Sequence, residues 1–169
     1  MVPAEAVVPA VPSVRDQYAA SSLISVGDSL PKLGAQTLDG EEVEIDALRR
    51  DATALVLLFW DSRTDLSVLE LEWIQQDIAE PRADQGVVVV AVNRGDDADT
   101  VGRIIAQHGV QFAVLLDPEA EAFEKVAEKF VPRTYVVDDA GVIRGMWIGF
   151  QGRSTIDAVA ATLEEVLAP

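Results

Sequence analysis

Two uninterrupted apolar runs constrain the fold more than any other feature of the sequence. Residues 54–59 read ALVLLF and residues 87–92 read VVVVAV. Runs without polar alternation are typical of strands that are covered on both faces. Between them, residues 66–80 place apolar side chains at helical spacing, which indicates a well-buried helix. The segment therefore predicts a strand, a helix and a second strand inside one core.

The C-terminal half continues this alternation. Residues 101–108 again have helical spacing, and residues 114–116 indicate a short strand. A further helix around Phe123 is expected to end near Val131, because Pro132 disfavours helical geometry in the residue before it. The pattern so far is that of alternating strands and helices.

Two hairpins and a closing helix complete the expected order. Asp39-Gly40 separates two short extended segments and favours a tight turn. Residues 134–137 and 142–148 flank a turn-rich link, which indicates a second hairpin, and the last helix is expected to start at Ser154. This order predicts an α/β fold in which helices sandwich a mixed central sheet.

The chain length suits one globular domain. Its 169 residues are 49% hydrophobic, which is enough for a real core. Residues 1–25 are expected to be an extended N-terminal arm or linker, since prolines interrupt them and no basic signal-peptide region is present. Residues 26–169 form the predicted domain. No stretch approaches the roughly 20 apolar residues of a membrane span, so this segment predicts no membrane insertion.

Charge and composition exclude several classes of function. Asp and Glu total 29 against 13 Lys and Arg, a formal net charge of −16, which repels nucleic acid. There is no cysteine, so disulfides, thiolate catalysis and thiolate metal sites are excluded. Phosphate-binding glycine motifs are absent, and the acids of residues 93–97 lack the spacing of a calcium loop. We therefore expect neither a metal nor a cofactor.

Several segments, in this order and spacing, resemble a known family. They are VGDSLPKLGAQTLDGEEVEIDAL, LLFWDS, VVVVAVNRGD and VLLDPEAEAFEKVAEKFVPRTYVVDDAGVIRGMWIGF. They resemble the thiol-disulfide oxidoreductases of the TlpA/ResA type, within the AhpC/TSA (peroxiredoxin-related) group, from about Val26 to the C-terminus. The resemblance implies a thioredoxin-like three-layer sandwich with an N-terminal β-hairpin extension. It also implies an extracytoplasmic setting, either periplasmic or secreted.

The active-site motif of that family is altered in this chain. Such proteins have a CxxC motif at the start of the helix after the first long strand, and the resemblance places Thr64 and Ser67 at the two cysteine positions. Asp65 and Leu66 lie between them, and Arg63 stands where a tryptophan is usual. Hydroxyl groups neither ionise near neutral pH nor form disulfides. The sequence therefore predicts no catalytic residue at this turn.

Simpler roles are open to the same residues. Thr64 or Asp65 is expected to be the N-cap of the helix, and Ser67 with Glu70 could form a capping box. A hydrolytic role for Ser67 or Thr64 would need a base, and the sequence has one histidine, His108. We favour the structural interpretation.

Two arginines and a proline extend the candidate site. Pro132 aligns with the cis-proline of the family, which ends a segment that contacts extended substrate peptide. Arg63 and Arg133 would flank the same cleft and could capture an anion or an acidic peptide. The alternative is that they pair on the surface with neighbouring acids, which are Asp61, Asp65 and Asp138.

Three hypotheses follow. The leading one is a redox-inactive domain that binds a protein or an extended peptide by main-chain pairing, which requires no sulfur. The second is a thiol-disulfide oxidoreductase or peroxiredoxin-like antioxidant activity that depends on a partner's cysteines. The third is a structural domain of a larger assembly. For the first, the expected binding residues are Arg63, Thr64, Asp65, Leu66, Val131, Pro132 and Arg133.

Overall fold

A mixed seven-stranded sheet forms the centre of the molecule, in the order β2-β1-β5-β4-β3-β6-β7. The computed structural model describes residues 14–169. The strands are β1 (Gly34–Gln36), β2 (Glu42–Glu44), β3 (Ala54–Trp60), β4 (Val87–Arg94), β5 (Ala113–Asp117), β6 (Arg133–Asp138) and β7 (Ile143–Ile148).

Six α-helices accompany the sheet in the described part of the chain. They are α1 (Val14–Ala20), α2 (Ile45–Leu48), α3 (Asp65–Ile74), α4 (Ala98–His108), α5 (Glu121–Val126) and α6 (Arg153–Leu167). α3 continues into a π-helical turn at Gln75–Ala79 and a 3₁₀ turn at Glu80–Arg82. Within residues 14–169, no helix is both long enough and apolar enough to cross a membrane.

The apolar run of β3 lies at the middle of the sheet because it has a partner on each side. β3 pairs in parallel with β4 and antiparallel with β6. β4 pairs in parallel with β5, and β6 forms a hairpin with β7. All seven residues of β3 are buried, as expected for a strand without polar alternation.

Helices cover both faces of the sheet and make three layers. On one face, Leu57 and Phe59 of β3 pack with Phe123 of α5. On the other face, Val56 packs with α3 and α6 residues, and Leu58 packs with Leu71 of α3. The predicted α/β fold with a mixed sheet between helices is confirmed, and the β1–β2 hairpin extends the sheet at one edge.

Three local expectations differ from the structure. The helix around Phe123 ends at Val126, because Ala127 is extended and pairs with Ser22. The expected extended arm contains α1, and the part of that arm at residues 1–13 lies outside the described residues. α6 begins at Arg153, one residue before the predicted start. The domain boundary after residue 25 stays a prediction.

Candidate binding site at the turn after β3

A buried carboxylate shapes the turn between β3 and α3. Asp61 is 3% exposed, and its Oδ1 accepts hydrogen bonds from the backbone N–H of Thr64 at 3.0 Å and the Thr64 hydroxyl at 2.8 Å. Its Oδ2 accepts a bond from Arg63 at 3.3 Å and lies 3.6 Å from Nη2 of Arg94. One side chain thus closes the turn and contacts two arginines.

The loop after β4 supports the turn from the side. Asp96 accepts bonds from the Ser62 N–H at 2.8 Å, the Ser62 hydroxyl at 2.6 Å and the Asn93 amide at 2.8 Å. Burial alone would raise the pKa of Asp96, but these bonds and the charge of Arg63 outweigh it and hold that pKa below the usual range. The turn is therefore fixed by hydrogen bonds to the carboxyl groups of Asp61 and Asp96.

Thr64 is the N-cap residue of α3, but its side chain does not cap the helix. Its backbone is extended, with φ −107° and ψ 106°, and its hydroxyl donates to Asp61 instead. The backbone N–H groups of Asp65 and Leu66 consequently have no hydrogen-bond partner among residues 14–169. The first turn of α3 offers two donors at the positive end of the helix dipole.

The expected Ser67–Glu70 capping box is wrong, because α3 begins at Asp65 and Ser67 already lies within the helix. The side chains of Ser67 and Glu70 are both fully buried. The Thr134 hydroxyl donates to Glu70 Oε1 at 2.5 Å. Glu70 Oε2, Ser67 Oγ and Trp60 Nε1 have no partner within the described part of the chain. The bond between Thr134 and Glu70 therefore joins α3 to β6.

Glu70 has an unusual protonation state. Burial raises the pKa of its carboxyl group from 4.5 to about 8, and the hydrogen bond from Thr134 opposes this rise only in part. The carboxyl group is therefore mainly protonated at neutral pH. A neutral carboxylic acid can remain buried where a carboxylate would be costly.

The histidine that the hydrolytic interpretation needed does not contact Ser67 or Thr64. The His108 ring contacts Glu72, with 3.1 Å between Nδ1 and Oε2. The Ser67 hydroxyl has no hydrogen-bond partner in residues 14–169, and that of Thr64 is committed to Asp61. Nor do the described residues contain a cluster of His, Asp and Glu side chains that could hold a metal.

The segment before β6 lies beside the turn, because Arg133 of β6 pairs with Phe59 of β3. The Val131–Pro132 peptide bond is cis, and the Pro132 carbonyl accepts a bond from the Gly149 N–H at 2.8 Å. Val131 is partly exposed, and neither its N–H nor its carbonyl has a partner within residues 14–169. It offers a free main-chain donor and acceptor next to the turn.

The two arginines are placed differently from the expectation. The Arg63 side chain is 72% exposed and lies against Asp61. Arg133 is fully buried, and its guanidinium donates to Ser21, Ser22 and the carbonyls of the preceding loop rather than to a surface acid. The expected pairing of Arg133 with a surface acid is therefore wrong, and its guanidinium does not face the cleft.

Exposed leucines lie on α3, and a groove lies next to the cis-proline segment. Leu66 is 49% exposed and Leu69 is 40% exposed on α3. A groove of about 590 Å³, lined in part by Tyr18, Trp147 and Gly149, adjoins Pro132 through the Gly149 hydrogen bond. A larger cleft of about 720 Å³ lies near β2, contains side chains of both charges and includes none of the predicted site residues.

Comparisons with known proteins agree on the family. The AhpC/TSA family model matches residues 26–146. The thiol-disulfide oxidoreductase ResA of Bacillus subtilis (strain 168) is 24% identical over 139 residues, covering 82% of this chain and 76% of ResA. ResA of Halalkalibacterium halodurans is 24% identical over 126 residues, covering 75% and 70%.

Solved structures share the fold. A putative thiol:disulfide interchange protein DsbE from Chlorobium tepidum has a TM-score of 0.74 at 21% identity, covering 86% of this chain and 99% of that one. StoA from Bacillus subtilis has a TM-score of 0.63 at 20% identity, covering 80% and 98%. The thioredoxin-like architecture that the resemblance implied is confirmed.

Proposed function

Because this chain belongs to the AhpC/TSA family and contains no cysteine, we propose that it is a redox-inactive thioredoxin-like domain that binds protein or extended peptide. The docking surface comprises the residues of the former active-site turn and of the cis-proline segment. These are Arg63, Thr64, Asp65, Leu66, Val131, Pro132 and Arg133, the last acting as a buried support.

The observation that carries the proposal is the free main chain of Val131. Its N–H and carbonyl have no partner in residues 14–169, although the neighbouring residues from Arg133 onward pair in the sheet. An extended peptide can satisfy such groups by main-chain pairing, as in β-strand addition. This recognition uses no thiol chemistry.

The turn supplies contacts for the side chains of such a peptide. Leu66 offers apolar surface, and the open N–H groups of Asp65 and Leu66 can donate hydrogen bonds to a carbonyl or carboxylate oxygen. Arg63 is exposed, but Asp61 offsets its charge. We therefore propose that apolar and main-chain contacts, rather than acid capture by two arginines, provide the binding energy.

A site of action outside the cytoplasm is part of the same proposal. Support comes from the resemblance to the TlpA/ResA type of oxidoreductase. The test is fractionation of the source cells, with detection of this protein in the extracytoplasmic fraction as the expected result.

The decisive test is site-directed photocrosslinking combined with surface variants. A photoreactive amino acid at Leu66 is expected to label a partner in native extract, whereas the same group at Leu48 of α2 is not. Leu48 is a matched control because it is also an exposed leucine, at 36%, and it lies outside the docking surface. The crosslinked protein is identified by mass spectrometry.

Surface variants then show whether the labelled contact contributes to binding. Arg63→Glu/Leu66→Asp is expected to lose that partner, while Arg103→Glu/Leu48→Asp retains it, since Arg103 and Leu48 are exposed away from the turn. Equal retention by both double variants would reject the docking surface and favour a contact elsewhere on the domain. Robust insulin reduction by the purified wild-type protein would reject redox inactivity.

A further inference from the structure

A short N-terminal segment is bound along the loop that precedes β6. We refer to residues 18–23 as the strap. Ser22 forms an antiparallel bridge with Ala127, the Leu23 N–H donates to the Val126 carbonyl at 2.9 Å, and the Glu128 N–H donates to the Ser21 carbonyl at 2.9 Å. Residues 21–23 of the strap, which follow α1, therefore pair with this loop through their main chain.

Arg133 recognises the strap by its two serine hydroxyls. Nη2 donates to Ser21 Oγ at 2.5 Å and Nη1 donates to Ser22 Oγ at 2.8 Å. Ser21 is 1% exposed and Arg133 is fully buried. Hydrogen bonds that involve a charged donor are about twice as strong as neutral ones, so the serine pair contributes specific recognition as well as packing.

Within residues 14–169, no Asp or Glu side chain pairs with the Arg133 guanidinium to balance its charge. Its remaining hydrogen bonds go to the carbonyls of Lys129 and Phe130. Burial lowers the pKa of Arg133, but arginine remains protonated in proteins. A buried cation without a carboxylate needs every available neutral acceptor, and the strap hydroxyls supply two of them.

The strap also holds an unfavourable backbone conformation in place. Phe130 has φ 71°, a region that bulky side chains rarely adopt. The Tyr18 ring packs edge-on against the Phe130 ring at 4.8 Å between centroids, while Arg133 bonds to the Phe130 carbonyl. Such a conformation persists where surrounding contacts over-determine it.

We propose that the loop of residues 126–130 and Arg133 form a second peptide-recognition site, specific for two adjacent hydroxyl side chains that directly follow a helical turn, which this chain's own strap occupies. The ligand class is defined by an aromatic residue three positions before the serine pair and by main-chain pairing beyond it. This site is separate from the docking surface proposed above and does not depend on its function.

Amide hydrogen exchange in the full-length protein tests the occupied state. The Leu23 and Glu128 amides are expected to be protected in the wild type and to exchange about tenfold faster or more in Ser21→Ala/Ser22→Ala, since bonds to a charged donor are lost. Ser25→Ala is the matched control, because Ser25 is exposed and bonds only locally to Asp28. It should leave both amides unchanged.

Peptide binding in trans tests recognition itself. A synthetic peptide of residues 14–25 is titrated into full-length Ser21→Ala/Ser22→Ala, and binding is followed by calorimetry and by recovered protection of the Glu128 amide. A second peptide carries alanine at both serine positions. The native peptide is expected to bind at least about tenfold more tightly than the alanine peptide.

Equal affinity of the two peptides, or binding of neither, would overturn the proposal. A double variant that fails to fold does not remove the test, because the wild type provides an independent measurement. If its Leu23 and Glu128 amides exchanged at the rate of an unstructured chain, the strap would not be bound and the proposal would be rejected.

Discussion

Thr134 donates its hydroxyl hydrogen to Glu70 Oε1 across 2.5 Å, joining the middle of α3 to β6. Both side chains are fully buried, and the other carboxyl oxygen has no partner within the described residues. The contact therefore joins a neutral hydroxyl to a carboxyl group that stays protonated at neutral pH, and it makes stability depend on pH.

Glu70→Gln should remove part of the pH dependence of stability. The folded-state pKa of Glu70 is about 8, raised from 4.5 by burial, so the stability contributed by the protonated acid is fully present below pH 4.5. It is lost as pH rises, by about 1.4 kcal/mol per unit, until the folded group ionises. Urea unfolding at several pH values between 5 and 8 should show a shallower slope for the variant.

The control for this experiment is Glu165→Gln. Glu165 is an exposed glutamate on α6, so its replacement should leave the slope unchanged. An identical slope in wild type and Glu70→Gln would show that folding does not raise the pKa of Glu70.

Thr134→Val should destabilise the fold by about 1–3 kcal/mol, because it keeps the side-chain shape but leaves the buried carboxyl group without its donor. The pKa of Glu70 should also rise, since the lost hydrogen bond lowers it. Thr162→Val, which removes a local bond to the Ala158 carbonyl in α6, should cost much less. Equal losses in the free energy of unfolding would contradict a special role for the Thr134 hydroxyl.

Asp61→Ala should loosen the turn after β3. The variant loses acceptors for the Thr64 N–H, the Thr64 hydroxyl and Arg63, at a cost of about 2–3 kcal/mol. Asp65→Ala removes an exposed acid from the first turn of α3 and should cost less than about 1 kcal/mol. Thermal unfolding of both variants tests the difference, and a reversed order would rule out Asp61 as the residue that closes the turn.

Thr64→Cys/Ser67→Cys should restore thiol chemistry to the scaffold. The dipole of α3 lowers the pKa of a thiol at its N-terminus, and the resemblance to the TlpA/ResA type is what places the family's two cysteines at these positions. The variant should form an intramolecular disulfide, detected as the loss of two hydrogens by mass spectrometry, and should reduce insulin with dithiothreitol. Thr64→Cys alone should do neither. A double variant that stays fully reduced under oxidant would show that positions 64 and 67 do not have the geometry that a CxxC disulfide needs.

Much of the fold could be predicted because two of its strands contain uninterrupted runs of apolar residues. The apolar runs of β3 and β4 have no polar interruption, so their central position follows from burial on both faces. The end of α5 could not be predicted, because Ala127 leaves the helix to pair with Ser22, more than one hundred residues earlier in the sequence. Local spacing carries no signal for such a long-range contact.

The candidate site was harder to predict than the fold. Glu70 lies on the face of α3 that also contains Leu71 and Ile74, and that position was the available signal for its burial. The burial of Arg133 depends on its hydrogen bond to Ser21. Ser21 lies in a segment whose composition indicated only an extended arm. Polar residues can satisfy each other in the interior, and the sequence does not state which pairs will form.

The turn after β3 has one covalent state, because it contains no cysteine and is held by hydrogen bonds to Asp61. A turn with a CxxC motif alternates between dithiol and disulfide as its surroundings change, and the surface that it presents alternates with it. Here, carboxylate and hydroxyl groups hold the turn, and neither is altered by thiol oxidants. A partner that binds at this turn would contact the same surface in oxidising and reducing surroundings. The fraction of this protein in the complex would therefore depend on the partner's concentration rather than on the redox potential.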